Sequence, residues 1–360
     1  MIKVLQIMDG KQYSGIYEIM LRIGENIENV EFNYLTSTKV YESNKSFDLN
    51  IDRTNLKGRL IYNHRLYKFL KINKYDIVHI SSGAFFFTFF CAITSRFAGI
   101  KRIVVHSRNT PNINSIKKIL IKILNPLYRK ITNVHLSCSK NAIKSLFTKE
   151  DDVIVIKNGI DIDKYKFNEK VRNEYRKKLN IENKRVYGHV GRFAKQKNHE
   201  FIIDLFYELQ KEQDAILLFV GDGELENNIK EQVKKLKIED KVIFLGFRTD
   251  INNLLNCMDI FLFPSIYEGF GNVLIESQTN GLPTFVSNPI TEEANISNNF
   301  HKINSFNISE WKDEILKTKI NLKTREYAYK NTIKAGFDIK ETTKQLERIY
   351  KDLIWEQDIQ

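Results

Sequence analysis

The 360-residue sequence contains only three cysteines and five prolines. Cys91, Cys138 and Cys257 lie far apart and form no CxxC pair, so the sequence predicts neither a disulfide framework nor a zinc site. Low-complexity tracts and short internal repeats are absent, and the composition, with 42% hydrophobic and 28% charged residues, is that of an ordinary globular protein. These features fit a protein of a reducing cytosol.

Long apolar runs are also missing. The apolar start of the chain, residues 1–8, is too short for a signal peptide and is typical of a buried first strand. The longest stretch without formal charge, residues 77–95, is interrupted near its beginning by His79, Ser81 and Ser82. What remains is shorter than the roughly 20 apolar residues of a membrane-spanning helix, so we expect a strand, a turn and a buried helix there.

Acidic residues are scarce in part of the chain. Residues 1–165 hold 26 Lys+Arg against 14 Asp+Glu, whereas residues 166–360 hold 30 of each. The whole net charge of +12 therefore lies in the first half. Such a field attracts an anionic partner, and nucleic acid, an anionic membrane surface and a phosphate-bearing acceptor would each satisfy it. A recognition helix and an aromatic RNA-binding signature are absent, so nucleic acid is not expected.

Short runs of β-branched and other apolar residues alternate with helical patterns. Because strands separated by helices pair in parallel, the sequence predicts an α/β fold with two doubly wound, Rossmann-like sheets. The first sheet is expected to use strands 4–8, 31–35, 76–80, 102–106, 134–138 and 153–156. The second is expected to use strands 185–190, 216–220, 242–245, 260–263 and 284–286.

This pattern predicts a first domain over residues 1–165 and a second over residues 166–338. The polar segment 161–179 is interpreted as the linker. Residues 339–360 carry a helical pattern and are expected to pack back onto the first domain. Ligands of doubly wound folds bind beyond the carboxyl ends of the strands, so we expect a site in a cleft between the two domains.

The strongest local signal is the segment Glu268 to Glu276, which follows an apolar strand. A helix is expected to begin near Asn272, and glycines before it would let the backbone approach a ligand and direct free N–H groups at a diphosphate. The carboxylates of Glu268 and Glu276 are suited to sugar hydroxyls on either side of that diphosphate. The candidate donor-binding residues are Glu268, Gly269, Phe270, Gly271, Asn272, Val273 and Glu276.

Basic residues follow the first strand of the second domain. Arg192 grips phosphate oxygens with a planar fork and Lys197 supplies a mobile point charge, so both are candidates for offsetting the charge of a diphosphate. Phe247 and Arg248 follow a later strand of the same sheet and are expected to hold the nucleobase. Basic loops are common, so a purely structural role stays open for each.

The first domain contributes His106 at the end of a strand and Gly15 before a helix. His106 is a candidate for contacting the sugar that is transferred, although a lone histidine is more often structural. Asp161-Ile162-Asp163 imitates the Asp-x-Asp metal motif of other sugar transferases, but it follows Asn158-Gly159 and is interpreted as a turn. No metal and no other cofactor is expected.

Residues 113–131 form an amphipathic pattern with lysines beside the apolar positions. Together with the phenylalanines between Phe85 and Phe90, this segment would rest on an anionic membrane leaflet. The alternative is a pair of core helices with solvated basic faces. The sequence leaves both open.

Together these motifs resemble the family-4 glycosyltransferases of the GT-B fold, most closely the bacterial exopolysaccharide and capsule enzymes. The matching segments occur in the expected order over most of the chain: Ser14 to Ile16, Val105 to Asn109, Ser137 to Lys140, Ile156 to Asp161, Gly188 to Asn198 and Glu268 to Glu276. Two differ from the family pattern. Tyr17 stands where the family has glutamate, and Arg108 replaces the second histidine of His-Ser-His-Asn.

The resemblance implies a retaining, metal-independent transferase that uses a nucleotide sugar, usually a UDP-sugar. Its acceptor would be a glycan or a polyprenyl-diphosphate-linked glycan at the inner face of the membrane. By position, Arg192 and Lys197 would hold the diphosphate, Glu268 the donor sugar and Glu276 the ribose. Gly15 and His106 would contact the phosphate and the sugar. The alternative is a catalytically silent GT-B partner in a polysaccharide-assembly complex.

Overall fold

The computed structural model of the protein describes residues 1–9, 15–36, 46–49, 51, 53, 55–108, 115–268 and 270–358. Contacts within the chain divide it into two compact units. The first comprises Met1–Gly159 together with Gly336–Gln360, and the second comprises Ile160–Ala335.

The first unit is an alternation of strands and helices. Its strands are β1 (Ile2–Met8), β2 (Val30–Thr36), β3 (Ser46–Asp48), β4 (Ile77–Ser82), β5 (Ile103–Ser107), β6 (Val134–Ser137) and β7 (Val153–Val155). Its helices are α1 (Gly15–Asn26), α2 (Leu56–Ile72), α3 (Phe85–Phe97), α4 (Ser115–Ile131) and α5 (Lys140–Ile143). Within the described residues, seven strands pair in parallel in the order β3-β2-β1-β4-β5-β6-β7.

The second unit repeats the architecture. Its helices are α6 (Ile162–Tyr165), α7 (Glu169–Lys178), α8 (His199–Leu209), α9 (Glu226–Lys235), α10 (Ile251–Cys257), α11 (Asn272–Thr279), α12 (Ile308–Lys317), α13 (Leu322–Arg325) and α14 (Tyr329–Lys334). Its strands are β8 (Arg185–Val190), β9 (Ala215–Val220), β10 (Val242–Phe244), β11 (Ile260–Phe263), β12 (Thr284–Ser287) and β13 (Phe300–Ile303). Three-residue 3₁₀ helices lie at Lys195–Lys197, Glu239–Lys241 and Glu292–Ala294.

The six described strands of the second unit pair in parallel in the order β10-β9-β8-β11-β12-β13. The strand β9 is buried at every position, as expected for an apolar run covered by helices on both faces of a parallel sheet. The strand order reverses between β8 and β11, and between β1 and β4 in the first unit. Ligand sites of doubly wound folds form beyond the carboxyl ends of the strands at such reversal points.

The last helix, α15 (Ile339–Asp358), belongs to the first unit. Leu346 and Tyr350 are buried in the same core as residues of β1 and α1. Arg102 donates hydrogen bonds to the backbone oxygens of Leu353 and Ile354, which extends the attachment toward the end of the helix.

The segment 161–179 is not the linker that the sequence predicted. It forms α6 and α7 of the second unit, and Arg172 and Arg176 of α7 contact the buried carboxylate of Asp259. The polar composition was misleading because α7 uses buried arginines where a core helix usually has apolar side chains.

Two strands were not predicted. Both are short and contain two polar residues, Ser46 and Asp48 in β3 and His301 and Lys302 in β13, so neither gives the apolar signal used to find strands. The other strands lie within two residues of their predicted bounds. No helix within the described part of the chain is both long and apolar enough to cross a membrane.

Candidate active site

The loops that follow β8 and β11 meet at the reversal point of the second sheet. The two strands are in parallel register, with Tyr187 opposite Ile260 and Gly188 opposite Phe261. Their loops therefore leave the sheet at the same edge, and the N–H of Ile266 donates to the carbonyl oxygen of Gln196 at 2.8 Å. This edge holds most of the residues that the sequence singled out.

Lys197 and Glu268 form the centre of this edge. The Lys197 Nζ lies 2.5 Å from Glu268 Oε2, and the two side chains are 16% and 13% exposed. Gln196 donates from Nε2 to the other carboxylate oxygen at 3.1 Å, and the Lys197 ammonium lies 4.5 Å from the ring centroid of Phe263. The loop contacts thus bring together a cation and a carboxylate that are 71 residues apart in the chain.

Glycines let the backbones approach closely here. Gly271, the N-cap of α11, has a φ of +79°, and an added Cβ would lie 3.3 Å from Glu268 Cγ. At Gly221, after β9, a Cβ would lie 2.2 Å from the carbonyl oxygen of Gly191. A side chain at Gly221 would therefore push the loop after β9 away from the loop after β8.

The helix α11 begins at Asn272, as predicted. Phe270 and Glu276 are buried, whereas Asn272 and Val273 are half-buried. Glu276 lies one turn into the helix, on the same side as Asn272. Gly269 lies outside the described residues.

Arg192 does not pair with Glu268. Its Nη2 lies 2.9 Å from Glu224 Oε2 in the loop after β9, and the two side chains are 67% and 55% exposed. A surface pair of this kind contributes little to stability, so the guanidinium can exchange this partner for another anion at small cost.

Phe247 and Arg248 follow β10. The loop after β9 is attached to theirs, because Gly221 N–H donates to the carbonyl oxygen of Gly246 at 2.9 Å. Phe247 is exposed. Arg248 donates two hydrogen bonds to Asp250, at 2.8 and 2.6 Å, and this interaction lowers the pKa of the carboxyl to about 2. The guanidinium of Arg248 is thus bound by a carboxylate of its own loop.

Sequence reasoning missed Gln196 and two histidines beneath the edge. His189 is buried, and its Nδ1 contacts the carbonyl oxygen of Leu262 at 2.8 Å. His199 stacks on Phe193 with centroids 4.2 Å apart. Burial, followed by the charge of Lys197, lowers the pKa of His199 to about 3, so both rings are neutral supports beneath the charged pair. A histidine within an otherwise apolar strand, as at His189, was the sequence signal that could have indicated a buried ring next to the site.

In the first unit, His106 is the next-to-last residue of β5 and is buried. Its ring stacks on that of His79, with centroids 5.4 Å apart and planes 6° apart. The Arg108 Nη2 lies 3.1 Å from His106 Nδ1. Burial first, and then Arg108 and His79, hold the pKa of His106 well below its usual value. Gly15 is the first residue of α1.

The Asp161-Ile162-Asp163 segment caps a helix. Asp161 accepts a hydrogen bond from the N–H of Lys164 at the start of α6, and Asp163 pairs with Lys166. Among the described residues, no three His, Cys, Asp or Glu side chains are grouped where they could hold a metal ion.

Two parallel-sheet, Rossmann-like units with charged strand-end loops define the GT-B class of glycosyltransferases. The structure of Anabaena HepE in complex with UDP and glucose is similar, with a TM-score of 0.80 at 19% identity, covering 98% of this chain and 100% of that one. Residues 171–335 match the family Glycosyl transferases group 1. This stretch is therefore a glycosyl transferases group 1 domain, and the protein is a glycosyltransferase.

Two relatives extend the similarity beyond that domain. EpsF of Bacillus subtilis strain 168, named as a glycosyltransferase, is 27% identical over 97% of this chain and 96% of its own length. The Escherichia coli UDP-Gal:alpha-D-GlcNAc-diphosphoundecaprenol alpha-1,3-galactosyltransferase is 29% identical over 80% of this chain and 78% of its own length.

Proposed function

We propose that the protein transfers a sugar from a UDP-sugar to a glycan or polyprenyl-diphosphate-linked acceptor, with retention of anomeric configuration, in the synthesis of a bacterial surface polysaccharide. The observation that carries this proposal is the contact between Lys197 and Glu268. It sets one cation and one hydroxyl-binding carboxylate side by side at the reversal point of a doubly wound sheet.

Each group at this edge has a part in holding the donor. Lys197 neutralises the diphosphate, while Glu268 accepts hydrogen bonds from the hydroxyls of the donor sugar. Arg192 leaves its exposed contact with Glu224 and binds a phosphate oxygen. The N-terminus of α11 adds backbone N–H groups, and Glu276 binds the ribose. The nucleobase lies against Phe247 and the backbone beside Arg248.

The proposed chemistry needs no protein base and no metal. The bond between the anomeric carbon and the diphosphate breaks, the acceptor oxygen bonds to the same face of that carbon, and a donor phosphate oxygen takes the acceptor proton. Lys197 and Arg192 stabilise the charge that develops on the leaving diphosphate. From the first unit, Gly15 contacts the phosphate and His106 the transferred sugar.

The name of the Escherichia coli relative and the surface of the first unit support the proposed acceptor class. That relative's name specifies a UDP-galactose donor and a diphosphoundecaprenol-linked acceptor. Four apolar side chains of α4 are exposed together with basic ones, so the apolar pattern seen in the sequence does not face the core alone. The exposed apolar residues are Ile119, Leu120, Ile123 and Leu127, and the exposed basic residues are Lys118, Lys122 and Lys130.

We therefore place the protein in the cytoplasm, peripherally attached to the anionic inner leaflet through α4. Exchanging Ile123 and Leu127 for serine should abolish co-sedimentation with vesicles that contain anionic lipid. The matched exchange of Ile154, which is exposed on β7, should leave it intact. Binding that is equal for wild type and the α4 variant would contradict this attachment.

A donor screen tests the central proposal. A ligand that binds only the folded protein stabilises it by about 2.7 kcal/mol when present at 100 times its dissociation constant. We expect a rise in melting temperature with a UDP-sugar and not with GDP- or ADP-sugars. Turnover is then measured with a polyprenyl-diphosphate-linked acceptor. A folded protein that neither binds nor turns over any nucleotide sugar would contradict the proposal.

The variant Glu268→Gln tests the site itself. Loss of the carboxylate should lower kcat/KM on the order of 10²- to 10³-fold, because an oriented polar contact to the reacting sugar is lost. The matched control is Glu212→Gln in the same unit. Glu212 pairs with Lys312 before β9, at the other end of the strands, so this variant should keep wild-type turnover.

A further inference from the structure

The contact between Arg108 and His106 carries chemical information beyond its geometry. Arg108 Nη2 lies 3.1 Å from His106 Nδ1, and both side chains are buried. A guanidinium has five N–H donors and no acceptor. His106 Nδ1 must therefore be the accepting nitrogen of this hydrogen bond, and the proton of the neutral ring must lie on Nε2.

The charge of Arg108 is not neutralised by a carboxylate among the described residues. Its Nη1 donates to Asn158 Oδ1 at 2.5 Å, and its Nη2 also approaches Met20 Sδ at 3.1 Å. Burial lowers the pKa of the guanidinium to about 10, so it stays protonated at neutral pH. A cation next to the ring opposes a second proton on His106.

One face of His106 is covered by a second imidazole. His79 stacks on it in parallel, and the Nδ1 of His79 faces the hydroxyl of Tyr350 at 2.5 Å and the amide nitrogen of Gln6 at 3.2 Å. The amide nitrogen of Gln6 can only donate, so His79 accepts from it at Nδ1. Neither ring therefore has its proton on Nδ1, and His106 has no acidic neighbour among the described residues of this cluster.

We propose that Arg108 is a positioning residue that holds His106 as the neutral ring protonated at Nε2, ready to donate to an oxygen of the nucleotide-sugar donor. The His106 Nε2 is buried and has no hydrogen-bond partner within the described residues. A buried N–H without an acceptor is costly, and a hydroxyl or phosphate oxygen of the substrate would remove that cost. This inference rests on the proposed function only for the identity of the oxygen that accepts the hydrogen bond from Nε2.

Arginine differs here from the histidine that the family pattern has at this position. A histidine at position 108 can donate or accept, depending on its own proton, and so leaves the neighbouring ring free to adopt either form. An arginine only donates. The sequence change thus fixes a proton position that the family pattern leaves open.

The proton position is measured directly in protein labelled with ¹⁵N in the rings of its seven histidines. Long-range ¹H–¹⁵N spectra distinguish protonated from unprotonated ring nitrogens, and the His106→Gln variant assigns the signal. In wild type we expect His106 to be protonated at Nε2 and unprotonated at Nδ1. A proton on Nδ1 would overturn the proposal.

Two substitutions of Arg108 separate positioning from simple packing. Arg108→Lys retains a donor-only cation and should keep the Nε2 proton. Arg108→Gln offers an amide oxygen as well, so both ring forms should appear. The ring signals of His189 and His199, in the second unit, should not change. An Arg108→Gln protein that shows only the Nε2 form would mean that another group sets the proton position.

Turnover distinguishes this inference from the proposed function. With a working donor, Arg108→Gln should lower kcat about tenfold or more, and Arg108→Lys should restore most of it. If no nucleotide sugar is turned over by wild type while His106 carries its proton on Nε2, the proposed function fails and the positioning role stands. If wild type turns over a nucleotide sugar while His106 has its proton on Nδ1, the proposed function stands and the positioning role of Arg108 fails.

Discussion

The two units share a topology and differ in how they stabilise polar groups at the point where the strand order reverses. In the second unit, the charged pair Lys197 and Glu268 remains partly exposed at the strand ends. In the first, the pair of Asp9 and Arg53 is also partly exposed after β1, and the neutral rings of His79 and His106 are buried on β4 and β5. Both units therefore have a charged pair at the reversal point, and the first unit adds buried neutral rings next to it.

Each unit also has a buried polar cluster, and the two clusters differ in whether their groups are charged or neutral. The second unit buries the Asp259 carboxylate against Arg172 and Arg176, with Nη2 of Arg172 at 2.5 Å. Burial alone would raise the pKa of Asp259, but the two guanidiniums hold it below its usual value. The first unit has a neutral cluster instead, in which Gln6, His79 and Tyr350 are held by hydrogen bonds between uncharged groups.

The largest effect is expected from breaking the buried ion cluster. Asp259→Asn leaves two guanidiniums uncompensated and should reduce the free energy of unfolding by about 3–5 kcal/mol. Urea unfolding is followed by Trp311, which is buried in the second unit, in a Trp355→Phe background that removes the exposed tryptophan of α15. The control Asp214→Asn removes the exposed partner of Lys184 and should shift the midpoint little. Equal losses would contradict the distinction.

Acid should weaken the protein through its buried imidazoles. The pKa of His199 is lowered from 6.5 to about 3, so between these values the unfolded chain binds a proton that the folded one does not. The stabilisation is complete above pH 6.5 and is lost as the pH falls toward 3.

At pH 5 this one ring should lower the free energy of unfolding by roughly 2 kcal/mol relative to pH 7. His199→Phe should reduce the slope of stability against pH in that window, whereas exchange of the exposed His64 for glutamine should not. An unchanged slope in His199→Phe would show that His199 titrates normally in the folded state.

The neutral cluster should be less sensitive than the charged one. Tyr350→Phe removes the hydroxyl that contacts His79 and Gln6 but leaves no uncompensated charge, so the loss should be about 1 kcal/mol. Hydrogen exchange of the amides in β1 and β4 measures it. A loss as large as that of Asp259→Asn would remove the contrast between the two interiors.

The smallest effect is expected at the exposed pair of Arg192 and Glu224. Breaking this pair with Glu224→Gln should leave the unfolding midpoint equal to that of wild type within error at physiological salt. The same variant should not weaken binding of a UDP-sugar, because Arg192 is then released toward phosphate. A clear loss of stability would show that the contact is structural.

The sequence alone determined the class of fold and the strand ends at which charged residues lie. Alternating strands and helices require parallel sheets, and parallel strands place their following loops at one edge, so Lys197, Glu268 and the start of α11 could be assigned to that edge from local patterns. The bounds of most strands also followed from apolar runs.

Only the tertiary structure decided which of these groups meet. Lys197 pairs with Glu268 while Arg192 turns to Glu224, and α7 packs on the second unit with its arginines buried. It also decided that Arg108 donates to His106. Periodicity is a property of neighbours along the chain, whereas these partners depend on how loops far apart in sequence pack, and local patterns do not encode that.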